Sequence, residues 1–208
     1  LYPFQEGTLK LLQNNDRNII LKSRQLGIST LSAGISLWMM VFQKDKAILV
    51  VATKQDTAKN LVTKVKFMYD NLPSWLQIGF VENNKLALRL KNGSQVKAVS
   101  AASDAGRSEA ISLLIVDEAA FIEENRIEEI WGSSQQTLST GGKAIVLSTP
   151  NGTGNFFHRM WNKAEEGVNG FVPIKLHWSV HPERNQEWRD KQDDELGLRM
   201  AAQECDCD

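Results

Sequence analysis

Four short apolar runs, each set between stretches of helical character, constrain this chain more than any other feature. NIILK (Asn18 to Lys22), AILVVA (Ala47 to Ala52), LLIV (Leu113 to Val116) and AIVL (Ala144 to Leu147) have almost no polar interruption. A strand with one wet face alternates apolar and polar residues, so runs without alternation suit strands covered on both faces. Residues Ile28 to Phe42 read as a helix, and Gln55 to Asn71 as an amphipathic one with Leu61, Val65, Met68 and Leu72 on one face, stopping at Leu72-Pro73. Glu124 to Leu138 and Phe156 to Glu166 can also be helices, and FVPIKLHW (Phe171 to Trp178) a further strand. Strands alternating with helices predict right-handed crossovers and a mostly parallel sheet with helices on both faces. KLALRLKNGSQVKAVSA (Lys85 to Ala101) reads as an inserted β-hairpin, with Asn92-Gly93 as its turn.

In such sheets chemistry gathers beyond the carboxyl ends of the strands, so the residues just after each apolar run are the informative ones. LIVDEA delivers Asp117 and Glu118 to that edge. Two adjacent carboxylates there call for a cation or a shared proton. A phosphate-bound Mg2+ would supply the cation: Asp117 would hold the metal and Glu118 would orient and deprotonate a water. An acidic helix cap is the structural alternative. KSRQLGIST follows the first strand with a tight turn at Gly27 and a hydroxyl, Ser29, opening a helix. That is a phosphate-loop arrangement, with backbone N–H groups cradling phosphates and Ser29 offered to Mg2+. It departs from the usual G-x-x-x-x-G-K-S/T: Lys22 stands in place of the first glycine and Ile28 in place of the lysine. Lys22 and Arg24 could supply the charge from the other side of the loop, whereas an ordinary turn capped by Ser29 is the alternative.

The pairing resembles the ATPase domain of the large terminase subunits of tailed phages, the motors that pump DNA into capsids. That family often carries a loop with its basic residue moved to the start, as Lys22 is, and an arginine inside, as Arg24 is. LYPFQ ahead of the loop matches an adenine-recognition segment, with Gln5 as its glutamine and Tyr2 or Phe4 available to pack on the base. LSTPNG matches the coupling motif, with Ser148 and Thr149 sensing or relaying the γ-phosphate. SAASDAGRSEA matches a segment that holds an arginine before the acidic strand, here Arg107, on what reads as a mobile loop. The resemblance implies a P-loop NTPase fold of the ASCE type and an ATPase using ATP and Mg2+. It implies ATP binding by Gln5, Lys22, Ser23, Arg24, Gln25, Leu26, Gly27, Ile28, Ser29 and Thr30, and metal binding by Ser29 and Asp117. Glu118 would be the catalytic base, with Arg107 acting across subunits or Arg24 within its own subunit as the charge-stabilising arginine. The implied partners are double-stranded DNA, a portal protein, a small terminase subunit and further copies in a ring. The implied place is the host cytoplasm, docked on a procapsid.

The rest of the sequence sets bounds. Its 208 residues fit one domain spanning 1–208. The chain begins at Leu1 and ends in AAQECDCD, so it is expected to be a fragment, without the family's nuclease domain. A net charge of −1 provides no global basic field, and DNA contact would need a local patch. Lys64 to Phe67, or Lys85, Arg89, Lys91 and Lys97, could form one or be solvated faces. The only cysteines, Cys205 and Cys207, exclude a disulfide framework and fit a reducing compartment. They lack partners for zinc, and His177 and His181 lack a third ligand nearby. No apolar run approaches the ~20 residues that span a bilayer. Two other functions stay open: a helicase-like ATPase dependent on nucleic acid, and a nucleotide-binding scaffold without turnover, for which Ile28 is the main argument.

Overall fold

A computed structural model describes residues 1–101, 110–138 and 141–208. Among these residues eight strands form one sheet: β1 (Arg17–Lys22), β2 (Ala47–Ala52), β3 (Phe80–Asn83), β4 (Ala87–Leu90), β5 (Gln95–Ser100), β6 (Leu113–Asp117), β7 (Lys143–Ser148) and β8 (Val172–Leu176). Their order is β3-β4-β5-β2-β6-β7-β1-β8. All neighbours from β5 to β8 are parallel, and only β3-β4 and β4-β5 are antiparallel. The loops after β1, β2, β6 and β7 therefore emerge at one edge, with β7 between β6 and β1.

Alternation along the strands feeds two cores. Ile20, Val50, Ile115 and Ile145 point to one face, under α2 (Ile28–Phe42) and α3 (Gln55–Asp70). Ile19, Val51, Leu114 and Val146 point to the other, under α4 (Glu124–Leu138) and α5 (Phe156–Glu165). Every residue of β6 is buried, as a strand covered on both faces requires. Each fully buried aliphatic side chain stabilises the fold by about 1.5–3 kcal/mol in transfer free energy. That stability holds the strand ends, and the loops on them, in fixed relative positions.

The expected strands and helices form within a residue or two of the positions read from the sequence. The hairpin turns at Asn92 and Gly93, where Gly93 has φ +86° and an added Cβ would sit 1.9 Å from Asp45 Oδ1. It is more than an insertion: β5 runs parallel to β2 as part of the main sheet, and β3, which the sequence did not announce, adds an edge strand. A first helix was also unannounced. α1 (Pro3–Asn14) opens with Pro3 and a reciprocal pair in which Gln5 Oε1 accepts the Tyr2 N–H at 3.0 Å. Beyond β8, α6 (Gln186–Leu196), the short α7 (Leu198–Ala201) and a π-turn (Ala202–Asp206) return to the phosphate-loop edge. There Arg189, buried, binds Asp206 through Nε at 2.8 Å and Nη2 at 2.6 Å.

Candidate active site

The loop between β1 and α2 is anchored at both ends and open in the middle. Ser23 is fully buried; its N–H donates to Leu176 O and the Arg24 N–H to Glu204 O, both at 2.8 Å. Leu26 and Ile28 are each 1% exposed and sink into the core under α2. Ile28 can therefore offer a ligand only its backbone N–H. Gln25 and Gly27 are left-handed, with φ +59° and +74°. Gly27 suits its left-handed backbone, which L side chains rarely adopt, and an added Cβ would also displace the Gln5 amide, 2.8 Å away. The first intrahelical bond of α2 runs from the Leu31 N–H to Gly27 O at 2.9 Å. The N–H groups of Gly27, Ile28, Ser29 and Thr30 thus have no acceptor in their own helix and form a concentrated patch of positive potential.

Lys22 ends β1 half-buried. Burial lowers its pKa, while Asp117, Glu118 and Glu204 pull it back up. Its ammonium thus lies in the field of both acids of the LIVDEA motif. Arg24 is exposed and pairs through Nε with Oε2 of the buried Glu204 at 2.8 Å.

The acidic turn meets this loop directly. Asp117 Oδ2 accepts the Ser29 hydroxyl at 2.8 Å, and Oδ1 accepts the Glu118 N–H at 3.0 Å. Glu118 has φ +56°, a conformation that costs a non-glycine residue and here throws its side chain off the strand end. Glu118 Oε2 accepts the Thr53 hydroxyl, from the end of β2, at 3.1 Å. Ser148 and Thr149 are buried at the end of β7. The Ser148 hydroxyl accepts the Ala120 N–H at 3.1 Å, and Asn151 Nδ2 donates to Ala120 O at 3.0 Å. LSTPNG therefore grips the residue two beyond Glu118 by both its backbone groups.

Gln5 also works on the loop, since its Nε2 donates to Leu26 O at 3.0 Å. Tyr2 and Phe4 stack nearly parallel at 5.9 Å, and His181 lies 4.6 Å from Tyr2. His177 instead accepts the Ser179 N–H at 3.3 Å. A groove of about 850 Å³ runs between α1 and α2, lined by Gln5, Gly27, Thr30, Leu31 and Trp38 among others. Lys22, Asp117 and Glu118 do not line it, so the groove adjoins the phosphate-loop site rather than containing it.

Of the residues singled out in sequence, Lys22, Ser29, Asp117, Glu118 and Ser148 converge on one edge, with Gln5 and the loop beside them. Arg107 lies outside the described residues. Thr53 escaped the sequence reading, although its position just past an apolar run marked it. Glu204 and Arg184 had no local signal, and His181 stood out only as one of a histidine pair. Arg184 Nη1 donates to Ser23 Oγ at 3.2 Å, across 161 positions of chain.

The family described as terminase large subunit, T4likevirus-type, N-terminal, matches residues 19–203. Among solved structures, a mutant of the large terminase ATPase domain of Thermus phage P74-26 superposes with a TM-score of 0.78 at 21% identity, over 99% of this chain and 92% of that one. The large terminase of bacteriophage HK97 gives 0.73 at 20% identity, over 97% of this chain and 46% of that one. A large terminase from a thermophilic bacteriophage, solved with ADP, gives 0.75 at 11% identity, over 98% and 52%. The chain thus spans about half the length of those last two terminases, and its fold is that of the P74-26 ATPase domain. From its motifs, its fold and the match along most of its length, the chain belongs to the T4likevirus-type N-terminal family of terminase large subunits, proteins of phage DNA packaging.

Proposed function

We propose that this domain hydrolyses ATP and that the hydrolysis drives double-stranded DNA into a procapsid. The observation that carries the proposal is the meeting of the two motifs: Ser29 Oγ and Asp117 Oδ2 lie 2.8 Å apart, with Glu118 held beside them by Thr53. A hydroxyl and a carboxylate that close are the hard oxygen ligands Mg2+ prefers, so the donor set fits that ion. Bound there, Mg2+ would offset charge on the β- and γ-phosphates. The amides of Gly27 to Thr30 and the Lys22 ammonium would bind the phosphates. Lys22 would thereby replace the lysine absent at Ile28. The Glu118 carboxylate would orient a water and accept its proton. Ser148 would act through Ala120, passing a shift of the acidic turn to β7, while Thr149 would stiffen the same strand end. Gln5 would meet the adenine with the amide hydrogen and lone pair its two internal bonds leave free, and Tyr2 or Phe4 would pack on the base. Ser23, Gln25, Leu26 and Ile28 would contribute as backbone shape.

A terminase with ADP or ATP-γ-S bound shares this fold, which supports nucleotide as the ligand. The whole-protein context belongs to the same proposal: a ring of copies in the host cytoplasm, docked on a portal protein, with a small terminase subunit and a downstream nuclease domain. Arg89 and Lys97 sit exposed on one face of the β4-β5 pair and offer a candidate DNA contact. Arg107 would reach a neighbouring subunit's nucleotide, whereas Arg24 would first have to leave Glu204.

The test is Mg2+-dependent ATP hydrolysis over rising protein concentration, with Glu118→Gln alongside. Loss of a general base should cut turnover by about 10²–10⁴-fold while ATP binding persists. Turnover per molecule that climbs with concentration favours Arg107 acting in trans, and flat turnover favours Arg24. Turnover that survives Glu118→Gln removes Glu118 from its role, and binding without hydrolysis under all conditions favours the scaffold reading.

A further inference from the structure

We infer that Arg184 is a positioning residue that sets the shape of the phosphate loop by holding its carbonyls outward. The inference rests on the reading of Lys22–Thr30 as that loop. Arg184 lies between β8 and α6, and its guanidinium packs 4.3 Å over the Trp188 ring. Nη1 donates to Ser23 Oγ at 3.2 Å, and Nη2 donates to Arg24 O at 3.0 Å and reaches Gln25 O at 3.5 Å. The acceptors are therefore a hydroxyl and two carbonyls, on both sides of the left-handed Gln25.

With Arg184 included, each carbonyl of the turn has a donor. Those of Arg24 and Gln25 take Arg184, that of Leu26 takes Gln5, and that of Gly27 takes the Leu31 N–H. Carbonyls fixed on one side leave the amides of the same peptides on the other. Gln25 lacks glycine's freedom at positive φ, so its conformation must be imposed from outside. A planar fork can hold two acceptors at a set spacing, and a lysine's single compact head cannot. Arg184 thus acts on the nucleotide through the backbone, without needing to touch it.

The experiment measures ATP affinity by calorimetry with Mg2+, together with KM and kcat, for wild type, Arg184→Lys, Arg184→Met, Ser23→Ala and the Ser23→Ala/Arg184→Met double variant. Losing two net hydrogen bonds should raise Kd and KM about tenfold in Arg184→Met and leave kcat within about twofold. Arg184→Lys should recover only part of the loss. Ser23→Ala should weaken binding less, and should add little in the Arg184→Met background because the two share a bond. Ser23→Ala and Arg184→Lys carry the test if Arg184→Met does not fold. Wild-type affinity in Arg184→Met overturns the inference. So does full recovery by lysine, which would mean charge alone matters, or a fall in kcat at constant KM. A wild-type protein that binds no ATP overturns the phosphate-loop reading itself, an outcome distinct from equal binding by wild type and variant.

Discussion

The phosphate loop and the acidic turn face each other across the Ser29–Asp117 bond, and each contains a left-handed residue that is not glycine, Gln25 and Glu118. They are braced in opposite ways. The acidic turn is held from inside the sheet: Thr53 at the end of β2 and Ser148 at the end of β7 come from the two strands that flank β6. The phosphate loop is held mostly from outside: Gln5 comes from the first helix, and Arg184 and Glu204 from the last third of the chain, while Leu176, at the end of β8 beside β1, is its sheet neighbour. Strand ends in a common sheet are placed by the hydrogen-bond ladder, so a brace between neighbours costs little extra ordering. A brace from a distant segment works only while that segment is docked, and its conformational entropy must be overcome each time it docks. The acidic turn should therefore be the rigid half of the site and the phosphate loop the adjustable half.

The largest effect that would test this division is Ile28→Lys. It restores the usual lysine, yet it places an ammonium in the core under α2, and should cost on the order of 4 kcal/mol in chemical denaturation. Stability left unchanged would mean the loop can turn residue 28 outward and is looser than its buried anchors indicate. Next is Ser148→Ala, which leaves the buried Ala120 N–H unpaired at a cost of about 1–3 kcal/mol. It should lower kcat more than it raises KM; the reverse would place Ser148 with the loop rather than the turn. Thr53→Val keeps the shape and removes one hydroxyl, so turnover should fall roughly threefold to tenfold at unchanged ATP affinity. A wild-type rate would show that Glu118 is aimed by its backbone alone.

A separate effect concerns the outer brace and is one of pH. Burial pushes the Cys207 thiol up to about 12, with Lys175 and Lys22 opposing. That thiol donates to Leu176 O, which also accepts the Ser23 N–H. In the unfolded chain the thiol ionises near its ordinary value of 9.0, while in the folded protein it stays neutral. The raised pKa therefore contributes stability that is full below pH 9 and is lost as the pH climbs toward 12. Unfolding free energy measured across that range should fall more steeply in wild type than in Cys207→Ala. Parallel slopes would mean the thiol is not held neutral beside the loop.

Much of the inner half of the site was legible in the chain. LIVDEA, LSTPNG and AILVVAT are each an apolar run followed at once by the working residue, because the strand that forms the core also delivers the side chain. Reading such a run gives Asp117, Glu118 and Ser148 together with the strand that carries them. The outer half was legible only in part. KSRQLGIST announced a loop and its first hydroxyl, but not which of its amides remain free. Arg24 reads as an arginine aimed at the phosphates and is paired with Glu204; Ser23 reads as a phosphate contact and is buried with its N–H committed to Leu176. Neither fact has a local cause.

The sequence by itself determined the order and type of most elements, the doubly covered sheet and the edge at which chemistry gathers. Short-range periodicity and the immediate neighbours of each strand end carry that information. Only the tertiary structure decided that β7 lies between β6 and β1, that Ile28 faces the core, that Thr53 holds Glu118, and that a guanidinium 160 positions away bonds the loop's backbone. Those depend on which surfaces meet once the layers pack, and contacts between remote segments leave no periodic trace in either segment.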